Sequence, residues 1–381
     1  MYSIFGASLL SASASLPLHL LPLLILLVAQ EGRLPLAWVG WLGSAYMGGQ
    51  LLAALALPML RVERVPRAQA SAAIVGLLLV LSLSGTLRGM VLLASWFAVG
   101  LVCGTLHFLA TTAAAAVADR RKAFAVRMAM SSLVAGVVIV GLQWAKGINA
   151  YASLAIQLAL AFGLLAVMGL ALYRSPPPAQ EPVRAVSDAK SALPRPSAAA
   201  HSLGQISGLG VLFVLFVGQH GLWAFAAQNA QGRGVPLLHL AYAIAACKLV
   251  AGVVVLVSAF GSVRTQWSSS SSMLCSGVAV AMGIVGVGWA REFWAFWAGL
   301  FFWEVGFSVL SARLQALAAQ DNPRVAGMWM TGAIFTGAAT GPALGGWVVH
   351  AGYFGAYAVF AIVTALIPLA WFRMRTVVSV N

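Results

Sequence analysis

Five side chains carry most of the acid–base chemistry this sequence offers: His19, His107, His220, Lys248 and Glu304, each inside an apolar stretch. Glu304 stands apart. It lies in the middle of residues 292–315, EFWAFWAGLFFWEVGFSVLSARLQ, and every other acid falls in a predicted loop or at a helix end. A carboxylic acid taken out of water is suited to exchanging a proton near neutral pH. Histidine titrates there without help and both donates and accepts hydrogen bonds. Lys248 is the second buried charge, and an ion pair with Glu304 that a proton or an anionic solute breaks is expected. At helical spacing Trp297, Phe301, Glu304, Ser308 and Ser311 share one face. Gln219 and Trp223 flank His220 with an amide and an aromatic wall. Such a lining suits an amphipathic organic solute with at least one polar group.

The elements that hold these residues follow from composition. The chain is 61% hydrophobic and 8% charged, with mean hydropathy +0.94. No soluble fold hides that much apolar surface, so the fold class is all-α integral membrane. At roughly 30 residues per span and loop, the length predicts about 12 transmembrane helices. The net charge of +14 would suggest nucleic acid in a soluble protein; here the basic residues fall in short loops, and no nucleic-acid partner is expected. Cys103, Cys247 and Cys275 fall inside predicted spans and read as small, buried packing residues. No cleavable signal peptide is expected.

Six spans are predicted in residues 1–173 and six in residues 206–381. Between them, residues 174–205 hold Pro176–Pro178, Pro182, Pro194 and Pro196 with scattered charges, and read as a cytoplasmic linker. With the N-terminus inside, 16 Lys and Arg fall on the cytoplasmic side and 5 on the other, which predicts both termini inside. Arg127, one to two turns into span 5, enters that count as a topology charge. His19 and His220, and Gly136 and Gly337, are each 201 residues apart. With six spans on either side of a linker, the spacing predicts two halves related by a pseudo-two-fold axis.

On these features the chain resembles the major facilitator superfamily. Span 11 carries Gly337-Ala-Ala-Thr-Gly341-Pro342-Ala-Leu-Gly345-Gly346, the G-x-x-x-G-P-x-x-G-G form of that family. Its glycines let backbones approach and Pro342 bends the helix, so it reads first as a packing motif. Residues 63–67, Glu63-Arg64-Val65-Pro66-Arg67, are a degraded D-R-x-G-R loop. The resemblance gives Glu63, Arg64 and Arg67 a gating role between the halves. It also implies that spans 1, 4, 7 and 10 line the substrate path, and these are the spans that hold His19, His107, His220 and Glu304. A monomer in a cytoplasmic membrane is implied as well.

The reading is a secondary transporter that moves a small organic solute by alternating access, coupled to protons through Glu304. Export is favoured over uptake because the aromatic lining lacks the crowded charges a strongly polar nutrient needs. An uptake permease for an organic anion or siderophore-like compound is the alternative, as is a non-transporting sensor of the same fold. No Walker phosphate loop, G-x-S-x-G or dinucleotide fingerprint occurs, so no enzyme, cofactor or resident metal is expected.

Overall fold

The computed structural model describes residues 2–59, 67–117, 119–145, 149–173, 198–260, 269–321 and 326–378. All regular structure in it is helical. In chain order the helices are α1 (Tyr2–His19), α2 (Leu21–Gln30), α3 (Trp41–Met59), α4 (Arg67–Ser84), α5 (Gly89–Ala115), α6 (Arg120–Trp144) and α7 (Tyr151–Leu172). After the linker come α8 (Ala198–Gly232), α9 (Leu237–Phe260), α10 (Ser269–Trp289), α11 (Phe293–Asp321), α12 (Thr331–His350) and α13 (Phe354–Val378). In hydrocarbon a helix is the one open-ended structure that satisfies its own backbone. Ten stretches among the described residues are long and apolar enough to cross a bilayer, α1 and α2 counting as one. The other two long helices are α4, whose apolar described part is only Ser71–Ser84, and α12, which the Gly and Thr of its motif make less apolar. This is a multi-pass membrane protein.

Its outer surface is apolar. Ile156, Leu160, Leu164 and Val167 are exposed along α7 at helical spacing, as are Leu274, Val278, Met282 and Val285 along α10. Such stripes suit lipid contact. Cys275 is exposed on α10, contrary to the buried role expected from its span, while Cys103 and Cys247 are buried. The i+3 step from Cys275 to Val278 puts the thiol on the lipid stripe.

Two boundaries differ from expectation. Span 1, expected as one helix, breaks between His19 and Leu21. Pro22 has no N–H to give the Leu18 carbonyl four residues back, so the ladder is interrupted there. Span 7 starts earlier than expected: α8 begins at Ala198, inside the stretch read as linker. Ala198–Ala200 are the strongest of helix formers and extend the helix backward from its apolar part.

Packing brings distant segments together. α1 lies against α5, α6 and α7; α8 lies against α11, α12 and α13. α3 packs on α5 and α9 on α11; α4 packs on α7 and α10 on α13. Two long contacts join early helices to late ones, α3 with α12 and α6 with α9. The span-11 glycines make the close approaches expected of them. A Cβ on Gly341 would sit 2.5 Å from the Val217 carbonyl oxygen of α8, and one on Gly345 3.0 Å from that of Gly221. Gly40 and Gly43 meet Pro342 from the other side. Glu63 and Arg64 lie outside the described residues; Arg67 opens α4.

Candidate functional site: two buried cations beside a broken helix

Lys248 and Glu304 form an ion pair between α9 and α11, Nζ to Oε1 2.6 Å, with both side chains buried. The same Oε1 accepts a hydrogen bond from Ser308, one turn on, at 3.3 Å. Lys248 Nζ also sits 4.4 Å from the centre of the Trp223 ring, a cation–π contact. The pairing expected from the sequence is therefore made. Because neither charge reaches water, each is the other's main compensation.

Trp223 connects this pair to the break in α1. Its indole N–H donates to the Leu18 carbonyl at 3.1 Å, the group that Pro22 leaves without a helical donor. The ring lies edge-on to Trp303, whose indole N–H donates to the Gln219 side-chain oxygen. Gln219 in turn donates to the Ala361 carbonyl at 3.0 Å. His19, at the break, bonds Ser131 of α6 through Nε2 at 2.8 Å. Lys248, His220 and His107 lie within electrostatic reach of it. His220 stacks on Phe216, meets Phe307 edge-on, and keeps its buried Nδ1 without a hydrogen-bond partner. Four of the five expected ionisable residues thus gather near the end of α1.

His107 belongs to a second cluster, whose wiring fixes its tautomer. The Ser15 hydroxyl donates to the Ser11 carbonyl at 2.8 Å, so its oxygen must accept from His107 Nε2, 3.2 Å away. His107 Nδ1 is then left to accept from the Ser11 hydroxyl at 3.2 Å. Ser11 Oγ accepts in turn from Arg127 Nη1 at 3.4 Å, and Thr111 Oγ1 accepts from the same nitrogen at 3.3 Å. Arg127 Nη2 donates to the Gln315 side-chain oxygen of α11. The Phe335 ring of α12 lies 5.5 Å from the His107 ring.

Arg127 is the buried charge that sequence reasoning misses, because its place near the end of a span reads as a topology charge. The available signal was its setting, Ala-Phe-Ala-Val-Arg127-Met-Ala-Met, an arginine with apolar neighbours on every side. The break was equally readable from Pro17 and Pro22 on either side of His19. Trp297 and Phe301 are half-buried, pack against the main apolar core, and meet the rings of Trp294 and Phe302 on their own helix. No group of three His, Cys, Asp or Glu side chains among the described residues gathers closely enough to hold a metal ion.

No family model matches the chain, and no curated protein matches it. Among solved structures it is similar to the human organic anion transporter MFSD10 (TETRAN), with a TM-score of 0.69 and 17% identity over 97% of each chain. At that identity the likeness is one of architecture: along nearly its whole length this chain has the fold of a major facilitator transporter.

Proposed function

We propose that the protein is a secondary transporter that moves a small organic solute by alternating access, with Lys248 and Glu304 as the proton-responsive element. The observation that carries this reading is the buried Lys248–Glu304 pair, tied through Trp223 to the broken first span. Irregular backbone inside a membrane is tolerated where it lines a pathway, and ionisable groups at that depth mark substrate or proton routes. Protonation of Glu304 removes the charge that holds Lys248, so a proton and the charge of a solute compete for one ammonium group.

The two-half arrangement, twelve spans as 1–173 and 206–381 about a pseudo-two-fold axis, is part of this proposal. Three facts support it. Each helix contact described within the first half recurs between the corresponding helices of the second. The contacts α3–α12 and α6–α9 exchange under the same correspondence. Gln30 also donates to Gln231 at 3.0 Å, and these two positions share the 201-residue offset of His19 and His220. Rocking of the halves would break the bonds that cross between them: Trp223 to Leu18, Ser44 to Ala339 and Arg127 to Gln315. The termini are cytoplasmic in this arrangement, the membrane is the cytoplasmic one, and the protein works as a monomer without a cofactor. Glu63, Arg64 and Arg67 keep their proposed gating role.

Export is the direction proposed. A second reading, uptake of an organic anion, draws on the likeness to MFSD10, an organic anion transporter, and on the surplus of buried cations over buried acids among the described residues. The test is solute counterflow in proteoliposomes across pH 5.5 to 8.5, wild type beside Glu304→Gln. The expected outcome is saturable counterflow whose pH dependence the variant loses. Counterflow with an unchanged pH profile would remove Glu304 from coupling, and saturable binding without counterflow would make the protein a sensor. In cells, export lowers solute accumulation on expression and uptake raises it.

A further inference from the structure

Arg127 is buried, 8% exposed, yet no carboxylate of the described residues lies within ion-pair distance of it. Its neighbours are neutral: the Ser11 and Thr111 hydroxyls, the Gln315 amide oxygen and the face of Phe124 at 5.3 Å. Its Nε is buried without a partner. No acid occurs within five residues of Ser11, Thr111, Arg127 or Gln315 in the sequence. Neutral dipoles and one aromatic face hold this guanidinium, in a place where a lone charge is costly. Lys248, by contrast, has its acid within reach. The contacts come from α1, α5, α6 and α11, which places the group between early and late helices.

We infer that Arg127 is a second anion subsite of the transport path, apart from Lys248, and takes the carboxylate of a small organic acid. A carboxylate supplies what the site lacks, a negative charge for the fork of N–H donors, including the one at Nε. Gln315 holds the guanidinium through its amide oxygen while the subsite is empty, and its amide nitrogen is anchored on Ser311 at 2.8 Å and the Met128 sulfur. This inference rests on the transport reading above.

The test uses the purified full chain in detergent at matched ionic strength. Its probes are benzoate and 1-naphthoate, each beside its neutral amide, and its readout is thermal stability, which rises when a ligand binds the folded state. The expected result is stabilisation of the wild type by a carboxylate and not by its amide, with apparent affinity falling roughly tenfold or more in Arg127→Gln. Gln315→Glu is the second variant. It places an internal carboxylate on Arg127, and should raise the unliganded melting temperature while abolishing the response to the probe. Where Arg127→Gln fails to fold, Gln315→Glu decides alone. Equal stabilisation by acid and amide, a response that survives in Gln315→Glu, or no response of the wild type to either acid would overturn the subsite. Counterflow of radiolabelled benzoate separates the two readings. Charge-selective binding without counterflow in the wild type removes transport and leaves the subsite; counterflow that survives in Gln315→Glu does the reverse.

Discussion

Among the described residues one lysine and one arginine are buried, Lys248 and Arg127, and they are neutralised in opposite ways. Lys248 faces a carboxylate at 2.6 Å, backed by Ser308 and roofed by Trp223. Arg127 faces an amide and two hydroxyls. The first arrangement cancels its charge locally and changes when a proton arrives. The second leaves a charge standing and waits for an anion. One residue type separates them: Glu304 and Gln315 lie on the same helix, eleven positions or about three turns apart. Exchanging acid for amide at either place should convert one kind of site into the other.

The largest effect expected is on stability, and it is unequal. Lys248→Ala leaves the Glu304 carboxyl buried and without its partner, a loss of about 3–5 kcal/mol. Arg127→Met leaves only neutral groups unsatisfied, about 1–3 kcal/mol, offset by removal of a desolvated charge. Unfolding of both variants in the same detergent compares them directly. Equal losses would mean that Arg127 has an acid partner after all, and the contrast between the clusters would collapse. The double variant Lys248→Met, Glu304→Gln should recover most of the stability lost by Lys248→Ala, because it removes both charges together.

The Lys248 cluster was largely legible in the sequence, and the reason is rarity. One acid at mid-span and one lysine in a neighbouring span leave little choice of partner. The helices were legible for the same cause, since apolar runs in a chain this hydrophobic have few other uses. Arg127 was hidden because arginines near the ends of spans are common and usually set topology; its apolar sequence setting hints at burial, and the neighbours it meets on α1, α5 and α11 establish it. The contact of Trp223 with the Leu18 carbonyl was also beyond reach. It joins residues 205 positions apart, and periodicity within one helix says nothing about which distant backbone group a side chain will find.

A smaller effect separates the two tasks of Trp223. Trp223→Phe keeps a ring for Lys248 but removes the indole N–H, leaving the Leu18 carbonyl without a donor because Pro22 has none. The expected cost is about 1–2 kcal/mol. Trp223→Leu removes the ring as well and should cost about 1–2 kcal/mol more, the worth of a desolvated cation–π contact. If the two variants were equally stable, the ring would contribute nothing to holding Lys248, and the tie between the ion pair and the break in α1 would reduce to one hydrogen bond.

The smallest effect comes from a pair with the same chemistry placed in water. Asp119 caps α6, accepting from the Lys122 backbone N–H at 3.1 Å, and its carboxylate lies 3.1 Å from Lys122 Nζ with both side chains half exposed. That backbone hydrogen bond holds the Asp119 carboxyl below its ordinary range. A group whose folded value is lowered contributes fully above its unfolded value, about 3.9, and loses the contribution as pH falls through the folded value. Asp119→Ala should therefore cost about 1 kcal/mol at neutral pH, the worth of an N-cap, with the difference from wild type closing in acid. Lys122→Ala should cost less, and 0.5 M salt should erase what it costs, because a solvated ion pair is screened. Salt should leave the Lys248→Ala deficit nearly untouched. A salt response of the same size in both would place Lys248 and Glu304 in contact with water, and with it the premise that one cation is cancelled inside the protein and the other is not would fail.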